Sequence, residues 1–177
     1  MIGVLVSGEG TNLQALIDSE LPVAAVASNR AAAPALARAE AAGIPGRSFE
    51  LDDYADRDTR DGEMADWLQL RGVDLIVLAG YMHLLTPSFL DRFPERIVNV
   101  HPSLLPEFPG ARAIEDALAA GVETTGVTVH YVDEGLDTGA VIRQEPIPIE
   151  PRETLADRIH AVEHRVLPEV VKQLCAR

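Results

Sequence analysis

The sequence predicts an α/β domain with a mostly parallel central sheet that turns mixed in its C-terminal half and carries helices on both faces. Three observations lead there. From Ile2 to His101, short apolar runs alternate with stretches of helical periodicity, the order that builds parallel βαβ units. A glycine loop, Gly8-Glu9-Gly10-Thr11-Asn12, joins the first run to the first helical stretch. After residue 126, two strand-like runs follow at hairpin spacing, which adds antiparallel pairing. Composition agrees: 47% of the 177 residues are hydrophobic and only 5% aromatic, with abundant Ala and Val, as helices packed on a parallel sheet require. That length suits one domain with a sizeable core.

Ile2–Val6 reads as a buried strand, and Leu13, Leu16 and Ile17 mark one face of the helix after it. Val23–Ala27 is the second strand. Pro34 suits the first turn of a helix that Gly43 ends. Phe49–Asp61 is acidic and irregular, and a helix runs from about Asp61 to Arg71, stopped by Gly72. Leu75–Ala79 is a wholly apolar strand, and Thr86-Pro87 caps and opens a short helix. Ile97–His101 is the next strand, Ile114–Ala120 a helix, and Gly126–Val132 and Ala140–Gln144 are strands. Thr154, with Asp157 three residues on, reads as the cap of a last helix carrying Leu155, Ile159, Val162 and Val166, which Pro168 kinks or restarts.

The richest segment is Ile97-Val98-Asn99-Val100-His101-Pro102-Ser103-Leu104-Leu105-Pro106. In a strand, alternate side chains share a face, so Asn99 and His101 point the same way about 7 Å apart. Pro102 keeps His101 extended and ends the ladder. An amide and an imidazole thus sit at the carboxyl edge of an apolar strand, where open α/β sheets bind ligands. The loop Asp133-Glu134-Gly135-Leu136-Asp137-Thr138-Gly139 offers carboxylates, and one within ~4–6 Å of His101 would favour its charged form. The loop at Gly8–Asn12 is G-x-G-x-N. It lacks the third glycine of a dinucleotide fingerprint but suits a phosphate on the amides of a helix N-terminus.

A net charge of −13 argues against a nucleic-acid or anionic-membrane surface. The start lacks the basic and apolar regions of a signal peptide, and the longest apolar run, Leu75 to Tyr81, is far short of a membrane span. One cysteine, Cys175, cannot form an internal disulfide. Of His83, His130, His160 and His164, none shows metal-ligand spacing, so a bound metal is not expected. A cytoplasmic protein is expected.

Four segments, Ser7-Gly8-Glu9-Gly10-Thr11-Asn12-Leu13-Gln14-Ala15, Leu78-Ala79-Gly80-Tyr81-Met82, Asn99 to Pro106 and Gly126 to Gly139, resemble the phosphoribosylglycinamide formyltransferases across essentially the whole chain. The resemblance implies a Rossmann-like formyltransferase fold, with about 1–100 binding nucleotide phosphate and about 101–177 forming the folate and catalytic half of one cleft. It implies formyl transfer from 10-formyltetrahydrofolate, as co-substrate, to the amine of glycinamide ribonucleotide in de novo purine biosynthesis, with no metal and no ATP. By motif, Gly10, Thr11 and Asn12 would bind the ribonucleotide phosphate and Glu163 its amine. Asn99, His101 and Asp137 would be catalytic. Arg57, Met82, His83, Leu84, Leu85 and Asn99 would contact folate. His83 stands where an arginine often does, and Pro109-Gly110-Ala111-Arg112-Ala113-Ile114 departs from the commoner Pro-Gly-Leu-x-Ala-Ile.

Asn-x-His-Pro-Ser-Leu-Leu-Pro and Leu-Asp-x-Gly are shared with other formyl enzymes, whereas the amino-terminal Ser-Gly-x-Gly-Thr-Asn-Leu-Gln is specific. A tRNA-directed enzyme would need an added basic domain, and a formyl hydrolase an extra amino-terminal one; here the phosphate loop begins at residue 7. A phosphate sensor without chemistry would not need Asn99, His101 and Asp137 together. The expected partners are the two small molecules, with no nucleic acid or membrane, acting on a monomer or homodimer.

Overall fold

In the computed structural model, which describes residues 1–176, the strands hydrogen-bond in the order β3-β2-β1-β4-β5-β6-β7, and two compact units, Met1–Val98 and the chain from Asn99 onward, divide the elements. The sheet is parallel in its first half and mixed at its end, as the alternation and the late hairpin require.

The first unit is built on β1, Ile2–Val6, every residue of which is buried. It pairs in parallel with β2 (Val23–Ser28) on one side and β4 (Leu75–Leu78) on the other. Chain order therefore reverses at β1, and the crevice past the carboxyl ends of β1 and β4 is the topological switch point of this half. The helices are α1 (Thr11–Asp18), α2 (Pro34–Ala41), α3 (Arg57–Gln69) and α4 (Pro87–Leu90). Two features depart from the sequence reading. A short strand β3, Gly46–Ser48, pairs with β2; three residues are too few to show an alternation. α3 starts at Arg57, four residues before the expected Asp61, because the Asp56 carboxylate accepts from the Thr59 amide at 2.7 Å. Such a cap satisfies a first-turn amide that has no partner within the helix, which lets the helix extend through an acidic turn with little apolar content.

The second unit holds the end of β5 (Ile97–His101), α5 (Ala113–Ala120), β6 (Thr124–Tyr131), β7 (Val141–Pro148) and α6 (Leu155–Cys175). β6 and β7 are antiparallel, with Thr125 opposite Ile147 and an irregularity between Val129 and His130. β7 runs four residues beyond the expected end at Gln144 and includes Pro146 and Pro148. It lies last in the strand order, and an edge strand tolerates residues without an amide hydrogen. α6 continues through Pro168 without a break, and its buried face includes Leu155, Ile159, Val166, Val170 and Leu174. Thr154 occupies the N-cap, but its hydroxyl donates back to the Pro151 carbonyl at 3.2 Å instead of capping α6.

Candidate active site

At the carboxyl end of β5 the alternation places Asn99 and His101 on one face, and both meet Asp137. The His101 Nδ1 lies 3.5 Å from Asp137 Oδ2, and the Asn99 amide donates to Oδ1 at 3.4 Å. His101 is 5% exposed. Its Nε2 is 2.8 Å from the Phe108 carbonyl, which only accepts, so Nε2 carries a hydrogen. The Gly110 amide donates to Asp137 Oδ2 at 2.8 Å. A single turn, 108–110, therefore grips both the imidazole and the carboxylate. Phe108 (φ 51°), Gly110 (φ 88°) and Asp137 (φ 55°) are all left-handed. Asp accepts that conformation better than most side chains, and backbone strain concentrates where geometry is functional.

His130, 2% exposed on β6, completes the cluster. Its Nδ1 is 2.8 Å from the Tyr131 carbonyl and so carries a hydrogen. Its Nε2 is 3.2 Å from Asn99 Nδ2 and 3.6 Å from Asp137 Oδ1. A neutral ring accepts from Asn99 there; a charged ring donates to Asp137. Burial pushes the Asp137 carboxyl up. Hydrogen bonding from His130 and Gly110, with the positive charge of the two imidazoles, outweighs burial and holds it below the usual carboxylate value.

In the first unit, the loop after β1 leads into α1 with Gly10 at the N-cap and no side-chain cap or acidic residue in the first turn. The first-turn amides of α1 are thus left without a competing carboxylate. Gly10 (φ 73°) is also required by packing, since a Cβ there would lie 2.5 Å from Ala35 Cβ. Thr11 is exposed. After β4, Met82 and Leu84 are exposed, whereas Leu85 is buried. The Met82 amide donates to Ser7 Oγ at 2.9 Å, which ties this loop to the start of the glycine loop at the switch point. Arg57 is the exposed first residue of α3. Glu163 is buried on α6 in the second unit.

The formyl transferase family profile matches residues 1–171. The chain is 42% identical over 180 residues to the phosphoribosylglycinamide formyltransferase of Haemophilus influenzae, covering 97% of this chain and 85% of that protein. The chain belongs to the phosphoribosylglycinamide formyltransferase branch of the formyl transferase family. The phosphoribosylglycinamide formyltransferase structure from Streptococcus pneumoniae superposes with a TM-score of 0.93 at 42% identity, covering 98% of this chain and 97% of that one. A trifunctional purine biosynthetic protein from Drosophila melanogaster is 43% identical over 98% of this chain, which spans only 14% of that protein's length.

For a formyl transferase of this branch, the structure brings together Asn99, His101 and Asp137, and adds His130 and the 108–110 turn, which sequence reasoning missed. Thr128 and His130 alternate with Val127 and Val129 in the manner of a strand with one face in solvent, but all four are buried, so the polar face of β6 does not meet solvent. His83 is engaged within its own unit, with Nδ1 2.7 Å from Arg60 and Nε2 3.2 Å from Asn29. Burial, then the charges of Arg60 and Arg57, hold its pKa below the ordinary histidine value. Among the described residues no cluster of His, Cys, Asp or Glu is arranged to hold a metal ion, and no helix is long and apolar enough to cross a membrane.

Proposed function

We propose that the protein transfers the formyl group of 10-formyltetrahydrofolate to the primary amine of glycinamide ribonucleotide, both halves serving as one formyltransferase domain. The observation that carries this is the half-buried Asp137 carboxylate contacted by both Asn99 and His101, in a chain of this family. The amine nitrogen bonds to the formyl carbon, the carbon–N10 bond breaks, and the amine proton passes to N10 by way of Asp137. Charge builds on the formyl oxygen meanwhile, and Asn99 and His101 are its donors, a kind of stabilisation worth ~3–4 kcal/mol per donor.

The hydrogens needed for that oxygen are already committed. Asn99 gives one to Asp137 at 3.4 Å, the longest hydrogen bond of the cluster and so the easiest to exchange for a stronger acceptor. When Asn99 turns to the formyl oxygen, Asp137 loses a donor and its affinity for a proton rises, as the amine becomes acidic. Stabilising the oxyanion and receiving the proton are thereby linked through one amide.

The ribonucleotide phosphate binds the Gly10–Asn12 amides and the Thr11 hydroxyl, and Glu163 meets the substrate amine. Folate binds Arg57, the segment Met82 to Leu85 and Asn99. The enzyme acts in the cytoplasm without metal or ATP. Tetrahydrofolate release tests the reading: it should require the ribonucleotide. Release that is equally fast without the ribonucleotide would make the protein a hydrolase.

A further inference from the structure

Arg60 and Asp61, adjacent on α3, have no exposed side-chain surface. Arg60 donates to Asp61 Oδ1 through Nε at 2.8 Å and through a terminal nitrogen at 2.6 Å. A buried ion pair roughly breaks even against apolar residues of the same volume, so its value lies in what it orients. Here both partners reach the loop 80–86. The second terminal nitrogen of Arg60 donates to His83 Nδ1 at 2.7 Å, and Asp61 Oδ2 accepts from the Thr86 amide at 2.8 Å.

Proton accounting fixes the ring. Arginine only donates, so His83 Nδ1 accepts and the neutral imidazole carries its hydrogen on Nε2. Nε2 lies 3.2 Å from the Asn29 side-chain amide. Ser7 Oγ donates to Asn29 Oδ1 at 2.6 Å and accepts from the Met82 amide at 2.9 Å. The loop is thus pinned at Met82, His83 and Thr86. Tyr81 and Leu85, each 9% exposed, turn inward, while Met82 (62%) and Leu84 (50%) are presented outward.

We infer that Arg60 and Asp61 are positioning residues that act through the His83 ring and the Thr86 amide to hold the loop 80–86 in its folate-binding shape, and so set folate affinity. This rests on the reading of Met82 to Leu85 as folate-binding. The pair touches no ligand itself; it decides where Met82 and Leu84 stand.

The test moves the cation from the helix to the loop. His83→Arg sets a second guanidinium against Arg60, and Arg60→Met leaves Asp61 buried without its partner. Each should raise the folate KM about tenfold or more, with the ribonucleotide KM and kcat at saturating folate little changed. The double variant Arg60→Met/His83→Arg returns one cation to Asp61 from the loop side and should recover the folate KM to within about threefold of the parent. Should a single variant of the buried pair fail to fold, the milder Asp61→Asn, which touches no ligand and loses only the charge between Arg60 and the Thr86 amide, decides beside His83→Gln. Asp61→Asn should raise the folate KM with the ribonucleotide KM unchanged, whereas His83→Gln, which keeps an acceptor and a donor, should change it little. Met82→Asp leaves all three pins intact and should also raise the folate KM; if it does not, the folate reading of the loop fails. If Met82→Asp raises it while the folded exchange and Asp61 variants leave it unchanged, or the double variant is worse than both singles, the positioning role is overturned.

Discussion

Asp137→Asn removes one charge from the cluster while preserving size and tolerance for the left-handed backbone at φ 55°. The carboxylate takes hydrogens from Gly110 at 2.8 Å and Asn99 at 3.4 Å and faces His101 Nδ1 at 3.5 Å. An asparagine that keeps its oxygen on the Gly110 amide must turn its own NH2 toward the Asn99 NH2, donor against donor. Hydrogen bonds to a charged acceptor are worth ~1.5–3 kcal/mol and neutral ones ~0.5–1.5, so a stability loss of ~1–3 kcal/mol is expected. Turnover should suffer more. A positioned proton acceptor contributes ~10²–10⁴-fold, or ~3–5 kcal/mol of barrier. Because the Asp137 pKa is lowered in the folded protein, its stabilisation is present above the unfolded value of about 3.9 and disappears as pH falls through the lower folded value. The melting temperatures of parent and variant should therefore differ at about pH 7 and draw together as the pH falls below about 3.9. Tetrahydrofolate release at saturating substrates gives kcat, and thermal melts across pH give stability. A folded variant with kcat within about threefold of the parent would refute the assignment of Asp137 as proton acceptor.

Two further outcomes bear on the first unit and on α6. Thr11→Asp puts a carboxylate in the first turn of α1, where it should stabilise the helix by ~0.3–1 kcal/mol yet repel a bound phosphate. A higher melting temperature with a ribonucleotide KM raised about tenfold or more is expected; an unchanged KM would reduce the glycine loop to a turn. His83 and His164 both have lowered pKa values, each chiefly through burial. A histidine base depressed in the folded state binds fewer protons there than in the unfolded chain, so stability falls as pH drops below about 6.5. Melting temperature should decline from about pH 7 to about pH 5, and His83→Gln/His164→Gln should flatten the decline; an unaltered slope would contradict the assigned shifts.

What the sequence made legible was local and periodic. β1 and β5 have the ends expected of them because apolar runs there stop at a glycine loop and at Pro102. The two-residue spacing of Asn99 and His101 sufficed to put both side chains on one face. The start of α3 was hidden because its signal is a capping carboxylate in an acidic stretch, without an apolar stripe. The grip of the 108–110 turn on His101 and Asp137 depends on backbone groups, which carry no residue identity. Arg60 and His83 are 23 positions apart, and no periodicity announces that a guanidinium from α3 will meet an imidazole beyond β4. Long-range polar contacts of this kind are specified by the packed fold and become readable only with it.

The most direct test of the central claim follows the transferred carbon itself. With 10-formyltetrahydrofolate labelled with ¹³C in the formyl group, an NMR time course should show the label leave N10 and appear in one amide of the ribonucleotide product, with tetrahydrofolate formed in equal amount. Label accumulating as free formate, or remaining on the folate in the presence of both substrates and folded protein, would contradict formyl transfer to the ribonucleotide amine.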